Sequence, residues 1–229
     1  MIAGISPMLK KVRRVEFKYP RRESNFALTL FVLIYVFAFI FFSTEIFNFL
    51  KKVAGGFYGG EYAERMILAL VCLLPFIVAL IARGQPFKSI GWGKENTRIG
   101  LLVGLLLAVL TIFLRGKFMT IIAGVNAAQL GLLAVLLLYS LAEETIFRGY
   151  IQLRMNSRLG ENWGWLATVG IFLLWQLPGR LNVLPFAEWW QILVISLVQG
   201  LVLGWIMKKC NHVLAPALYR AFALWVLLF

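Results

Sequence analysis

The chain has 229 residues, of which 61% are hydrophobic and 14% are charged, and its mean hydropathy is +0.84. Soluble domains are close to half apolar and a quarter charged, so these values exclude an ordinary water-soluble domain and favour a polytopic membrane protein. The formal net charge is +13 at pH 7, and the Lys and Arg residues that produce it lie mainly between the apolar runs, where they set the orientation of the chain in the bilayer. We therefore expect a lipid bilayer as a partner and no nucleic acid.

The residue composition excludes several kinds of catalysis. The chain contains no Asp, which excludes the paired-aspartate intramembrane proteases. Its single histidine, His212, excludes a HExxH zinc site and is interpreted as an interfacial residue outside the chemistry. Cys72 and Cys210 lie in or beside apolar runs and are interpreted as small buried hydrophobic residues without a disulfide. No metal ion and no cofactor is predicted, and the glutamates remain as candidates.

The order of apolar runs predicts an all-α bundle of about seven transmembrane helices. Residues 1–25 are a basic, cytoplasmic lead-in without the apolar core of a signal peptide, and residues 26–229 form one transmembrane helical domain. Each run has roughly the length needed to cross a hydrocarbon core of about 30 Å. The predicted spans are 26–43, 66–82, 99–114, 130–153, 163–177, 189–207 and 213–229. An eighth segment is possible, because residues 118–141 could form either one span or an interfacial helix followed by a shorter span.

The distribution of Lys and Arg predicts the orientation in the membrane. With the N-terminus inside, sixteen of these residues fall on the cytoplasmic side and six on the exterior side, while Arg220 lies within a span. Positive charge concentrates in short cytoplasmic loops. We therefore expect an integral protein of the cell (inner) membrane with a cytoplasmic N-terminus and an exterior C-terminus.

Charged residues follow the apolar run of the fourth span. In a helix, Glu144 and Arg148 have the i,i+4 spacing of an ion pair, with the acid first. Glu143 is rotated by about 100° from Glu144, so it need not share that arginine. We expect Glu144 to be held by Arg148 and Glu143 to face a cavity. The alternative is that this segment only reaches into the headgroups at the end of a span.

Two further polar residues lie inside predicted spans. Gln176 precedes a Pro-Gly break, and it suits either a site or a hydrogen bond between helices. Arg220 lies near the middle of the last span, where an unpaired guanidinium is costly. Its available buried partners are Glu143 and Glu144. The three spans that carry these residues are therefore expected to meet at one point.

Residues 143–224 resemble the CPBP family, which comprises CAAX-type prenyl-protein endopeptidases and bacteriocin-processing or immunity proteins. The first family motif, EExxxR followed by Gly, matches EETIFRG at 143–149. The second, FxxxH, matches 172–176 with Gln176 in place of His. The third, HxxxN, falls on Arg220 and Leu224. The CPBP-like core is expected at about 130–229.

The resemblance implies a glutamate-dependent intramembrane endopeptidase that cleaves a membrane-associated protein or peptide near the cytoplasmic surface. Glu143 would activate a water, while Gln176 and Arg220 would donate N–H groups from the positions of the family's histidines. The implied catalytic residues are Glu143, Glu144, Arg148, Gln176 and Arg220.

Two other functions remain open at this point. The first is a catalytically lapsed protease of the same fold, acting as a membrane binding, immunity or scaffold protein, and the second is a small transporter. A conical cavity that reaches Glu143 from the cytoplasmic leaflet would favour the protease. A filled cluster would favour the scaffold, and a path open to both membrane faces would favour the transporter.

Overall fold

A computed structural model describes residue 12, residues 18–43, 49, 52, 61–179 and 189–228. Most of the predicted basic lead-in, 1–25, lies outside these residues. The described residues form helices and short helical turns and contain no strand, in agreement with the predicted all-α fold. The helices are α1 (Arg21–Ser43), α2 (Glu61–Ala82), α3 (Thr97–Leu114), α4 (Phe118–Ala123), α5 (Ala127–Glu144), α6 (Leu153–Leu159), α7 (Glu161–Trp175), α8 (Trp189–Cys210) and α9 (Leu214–Leu227).

Five segments of the described chain are long and apolar enough to cross a membrane, and α9 is a shorter apolar helix. The protein is therefore an integral membrane protein with a polytopic helical bundle. The ambiguous stretch 118–141 forms the six-residue helix α4 and then the start of α5. The fourth span begins at Ala127 because Asn126 caps it, accepting a hydrogen bond from the backbone N–H of Gln129 while the Gln129 side chain accepts one from Asn126 N–H.

The fourth span is longer than the predicted 130–153. It runs without a break from α5 through a π-helical segment, Thr145–Gln152, into α6, giving 33 residues from Ala127 to Leu159. All eight residues of the π-helical segment are buried. Its Gly149 is required by packing, since a Cβ there would lie 2.4 Å from the backbone oxygen of Ile90. Segments of π-helix are often found at functional sites, and this one directly follows the two glutamates.

Two apolar clusters pack on either side of the central helix. The first contains Phe147 and Phe172, whose rings meet edge to face with centroids 5.4 Å apart. The second contains Leu136, Tyr139 and Trp225 and joins α5 to α9. The two buried glutamates at the end of α5 directly follow the part of this helix that packs in the second cluster.

The two ends of the bundle differ. One end of the bundle is called the basic end here: helix α1 starts there, and α2, α6 and α8 terminate there. The opposite one is called the far end: α1 and α7 terminate there, and α2 starts there. At the basic end Arg154 is fully buried, lies 3.4 Å from a Glu23 carboxylate oxygen and stacks 3.4 Å from the centroid of the Tyr150 ring. Arg83 also pairs with Glu23. Arg154, which the charge count assigns to the cytoplasmic side, is thus held inside this end of the described bundle by an acid and an aromatic ring.

Candidate active site

The two glutamates of α5 share one arginine from α9. The exposed fractions of Glu143 and Glu144 are 3% and 0%. Arg220 Nη2 lies 2.5 Å from Glu143 Oε2, and Nη1 donates a hydrogen bond of 2.9 Å to Glu144 Oε1. The predicted contact between Arg220 and the glutamates is confirmed, and it joins α5 to α9 at the centre of the bundle.

Glu144 holds a second guanidinium. Arg148 Nε lies 3.3 Å from Glu144 Oε2, which is the predicted i,i+4 pair. Arg148 is fully buried, and its guanidinium carbon lies 4.9 Å from the centroid of the Phe172 ring. The carboxylates of Glu143 and Glu144 and the guanidiniums of Arg148 and Arg220 carry no net charge together, which limits the cost of burying four ionisable groups.

Glu143 has different surroundings from Glu144. Trp175 Nε1 donates a hydrogen bond of 2.7 Å to Glu143 Oε1. Glu143 Oε2 accepts no hydrogen bond from the described residues, because its short contact with Arg220 is an ion pair without hydrogen-bond alignment. As predicted, the ion pair of Arg148 is with Glu144, and Glu143 pairs with Arg220 instead.

A cavity of about 30 Å³ lies against Glu143. About one to three water molecules fit into this volume. Gln176, just after the end of α7, lines the same cavity, and its Nε2 is buried without a hydrogen-bond partner among the described residues. The lining residues are Ala38, Phe42, Arg65, Leu68, Tyr139, Glu143, Trp175, Gln176 and Gly179. The predicted proximity of Gln176 to Glu143 at one pocket is therefore present.

The cavity lies towards the far end of the bundle. Phe42 is at the end of α1, Arg65 is in the second turn of α2, and Gly179 follows α7. With the orientation that the charges predict, this position is on the exterior side, so the cavity differs from the one at the cytoplasmic leaflet that would favour the protease. At the basic end Arg154 is held by Tyr150 and Glu23.

The third-motif positions do not line this cavity. Arg220 lies behind Glu143, where its Nη2 also donates a hydrogen bond of 3.2 Å to Tyr139 Oη. Leu224 packs in the apolar cluster with Trp225. The geometry assigns Arg220 the place of a counter-ion rather than the predicted place of a donor at the pocket.

Tyr139 and Trp175 complete the contacts of the site and are absent from the sequence prediction. Tyr139 lies four residues before Glu143, and Trp175 lies next to Gln176. These spacings place both aromatic side chains beside predicted site residues. In an apolar span, however, aromatic residues are abundant, so spacing does not separate a hydrogen-bonded ring from one that only packs.

His212 is fully buried between α3 and the start of α9. Its Nδ1 accepts a hydrogen bond of 3.1 Å from Leu214 N–H at the start of α9, and its Nε2 lies 3.1 Å from Thr97 Oγ1. Because Nδ1 accepts, the proton is on Nε2, which donates to Thr97. Burial lowers the pKa of His212 to about 4. The residue ties the entry of α9 to α3 and does not touch the glutamates.

Acidification is expected to destabilise the protein through His212. The unfolded chain takes up a proton near pH 6.5, whereas the folded chain keeps this ring neutral until about pH 4. The stabilisation is complete above about pH 6.5 and is lost as the pH falls towards about 4. Thermal unfolding in detergent between these pH values measures it. His212→Asn keeps an acceptor for Leu214 N–H and should flatten the dependence, because no other histidine is present; an unchanged pH dependence in this variant would contradict the assignment.

The comparison with known families agrees with the resemblance seen in the motifs. Residues 126–226 match the family described as Type II CAAX prenyl endopeptidase Rce1-like. This match covers somewhat less than half of the chain, from the cap of α5 into α9, and includes every predicted site residue. No curated protein and no solved structure matches the chain. Over residues 126–226 the chain is thus similar to the Rce1-like proteases of the CPBP family, as the motifs predict.

Proposed function

We propose that the protein is a glutamate-dependent intramembrane endopeptidase that cleaves a membrane-associated protein or peptide. The observation that carries this proposal is the buried Glu143, whose side chain lines a cavity of water size together with Gln176. A general base must lie within hydrogen-bond reach of the water that it deprotonates. Glu143 meets this requirement and Glu144 does not, because Glu144 holds two guanidiniums and is absent from the cavity wall.

The reaction follows from the groups around the cavity. A water in the cavity gives a proton to the Glu143 carboxylate as its oxygen attacks the carbonyl carbon of the scissile peptide. Gln176 Nε2 donates a hydrogen bond to the carbonyl oxygen as it becomes negative. Glu143 then returns the proton to the leaving amine, so that a carboxylate and an amine are released. Gln176 takes only the donor role in this scheme, since an amide does not shuttle protons as imidazole does.

The surrounding charges position the base. Trp175 donates a hydrogen bond to Glu143 Oε1 and Arg220 contacts Oε2, and together they fix the carboxylate at the cavity wall. Arg220 and Arg148 neutralise the two glutamates, and Tyr139 accepts a second hydrogen bond from Arg220. Arg148 and Arg220 are positioning residues, because neither lines the cavity. Tyr139 and Trp175 do line it, but the reaction uses them only to hold the charged groups in place.

A lapsed protease that binds a membrane peptide is the second candidate. The ion pairs of Arg220 with both glutamates favour it, because they make a cluster that is balanced in charge without substrate. No described contact specifically favours the small transporter.

Quantitative mass spectrometry of membrane proteins tests the first function. Cells that express the chain should contain cleavage products that disappear with Glu143→Gln, which removes the base without changing the shape of the side chain. Glu95→Gln is the control, since Glu95 is exposed outside the cavity. An identical set of products for the chain and for Glu143→Gln would refute the enzyme. The absence of products from the chain itself would favour the lapsed protease.

A further inference from the structure

The start of α1 presents two arginines outward and turns its acid inward. Arg21 and Arg22, the first two residues of α1, are exposed. The next residue, Glu23, is only 7% exposed, and its carboxylate pairs with Arg83 and Arg154. Because Glu23 is held by cations from two other segments, it leaves the charge of its two neighbours in place. The surface of the basic end is therefore positive beside α1.

Contacts with α6 hold the chain in place on both sides of these two arginines. Tyr19 N–H donates a hydrogen bond of 2.8 Å to Ser157 Oγ, and Ser157 Oγ donates one of 3.1 Å to the backbone oxygen of Tyr19. Ser24 Oγ donates a hydrogen bond of 2.8 Å to the backbone oxygen of Arg154. The backbone that carries the two exposed arginines is thus attached to α6 before and after them, so the fold sets their place at the surface.

A further exposed arginine comes from α6. The guanidinium of Arg158 donates a hydrogen bond to Asn25 Oδ1 in α1. Asn25 follows Arg21 by four residues, so both lie on the same face of α1. Arg158 therefore lies beside the face of α1 that carries Arg21. We call the four exposed cations at this place the cationic patch: Lys18, Arg21, Arg22 and Arg158.

The sequence extends the positive charge ahead of the patch. Residues 10–22 contain seven Lys or Arg and a single Glu. Clusters of roughly four to eight Lys or Arg immediately beside a transmembrane helix are typical of segments that bind the headgroups of anionic lipids. The charge of the patch and the charge of the sequence that leads to it therefore favour the same kind of partner.

Apolar side chains beside the patch favour a membrane surface over a soluble polyanion. Leu159 directly follows Arg158 and is 42% exposed, and Trp163, in the first turn of α7, is 71% exposed. Tryptophan at the end of a span is typical of the interface between hydrocarbon and headgroups. A soluble polyanion such as RNA would leave these apolar side chains in contact with water. The phosphates of lipid headgroups lie at this depth and carry the complementary charge.

We propose that the cationic patch binds anionic phospholipids through their phosphate groups and so joins α1 to α6 at the headgroup layer. Arginine suits this role because its planar guanidinium forms paired hydrogen bonds with phosphate. Helix α6 ends the 33-residue span Ala127–Leu159, which also carries Glu143. The bound lipid therefore steadies the basic end of the span that holds the site. This binding is independent of any protease activity.

Lipid binding by the full chain in a neutral detergent tests the patch. The probes are phosphatidylglycerol, which is anionic, and phosphatidylcholine, which is zwitterionic, added in equal amounts. Native mass spectrometry counts the molecules of each lipid bound to the chain. We expect phosphatidylglycerol to be preferred about tenfold or more, because each cation near an anionic headgroup contributes about fivefold. Raising ammonium acetate to about 1 M should reduce the preference by screening. Equal binding of the two lipids, or a preference that salt does not change, would overturn the proposal.

A matched pair of double variants assigns the preference to the patch. The test variant is Arg21→Gln with Arg22→Gln, and the control is Lys52→Gln with Arg115→Gln, which removes two exposed cations at the far end. The test variant should lose about tenfold or more of the preference, and the control should keep it. Arg22→Gln alone should lose about fivefold, and it gives the same test if the double variant folds poorly. A preference that survives in the test variants, or that falls equally in the control, would contradict the assignment.

Competition distinguishes a lipid headgroup from a soluble anion. Inorganic phosphate and a short RNA are added separately to the complex of the chain with phosphatidylglycerol. Neither should displace the lipid at an equal molar concentration, because neither covers the apolar side chains beside the patch. Displacement by either one would show that the patch recognises a soluble anion and would overturn the lipid as its partner.

Discussion

Arg220→Leu is expected to destabilise the folded protein by about 3–5 kcal/mol, the usual cost of removing one partner from a buried ion pair. The variant leaves Glu143 and Glu144 side by side without the guanidinium that contacts both of them. It also removes the donor to Tyr139 Oη, so the contact between α5 and α9 loses its polar part. Thermal or denaturant unfolding in detergent measures the change. Any protease activity should fall with it, because Glu143 loses the group that holds its carboxylate.

Two further variants test whether charge is the cause. Arg220→Lys keeps the charge but not the two-pronged geometry, so it should lose less stability than Arg220→Leu. Adding Glu143→Gln to Arg220→Leu removes one of the two stranded carboxylates and should recover part of the loss. If Arg220→Leu had the same unfolding midpoint as the unmodified chain, Arg220 would not be the counter-ion. A double variant less stable than Arg220→Leu would show that packing outweighs charge at this position.

The helices follow from elementary patterns in the sequence. Uninterrupted apolar runs predict the spans, because a helix is the simplest way to satisfy backbone groups within lipid. The ends of the fourth span could not be read in the same way. Its polar residues after Glu144 suggest a span that is ending, but the helix continues to Leu159 because Thr145–Gln152 is buried among its neighbours. Tertiary packing, which hydropathy does not record, decides where this helix ends.

The charged contacts of the site are predictable for a related reason. A guanidinium inside a span requires an acid, and Glu143 and Glu144 are the acids available to Arg220. The position of Arg65 in the cavity wall could not be predicted from such a pairing rule. By position it is one of six exterior charges, and its presence in the cavity depends on how α2 packs against α5 and on where α7 ends.

Glu144→Gln is expected to destabilise the protein more than Glu143→Gln. Glu144 pairs with both Arg148 and Arg220, and Arg148 has no hydrogen-bond partner among the described residues. Its neutralisation leaves Arg148 fully buried without a charge partner, at a cost of about 3–5 kcal/mol. Glu143→Gln is milder, because its amide oxygen still accepts from Trp175 and Arg220 keeps Glu144. We expect that change to cost about 1–2 kcal/mol, the range of one altered hydrogen-bonded contact.

Unfolding of both variants in the same detergent shows which of them loses more stability. Protease activity should rank them the other way round. Glu143→Gln should fold and be inactive, since it removes the base beside the cavity. Glu144→Gln should lose stability first and activity only as folding fails, because Glu144 does not line the cavity. Arg148→Met is the matched test of the pair. It removes the stranded cation, so combining it with Glu144→Gln should restore part of the stability that Glu144→Gln loses. Equal loss in the two glutamine variants, or a greater loss in Glu143→Gln, would contradict the assignment of Glu144 to structure and Glu143 to chemistry.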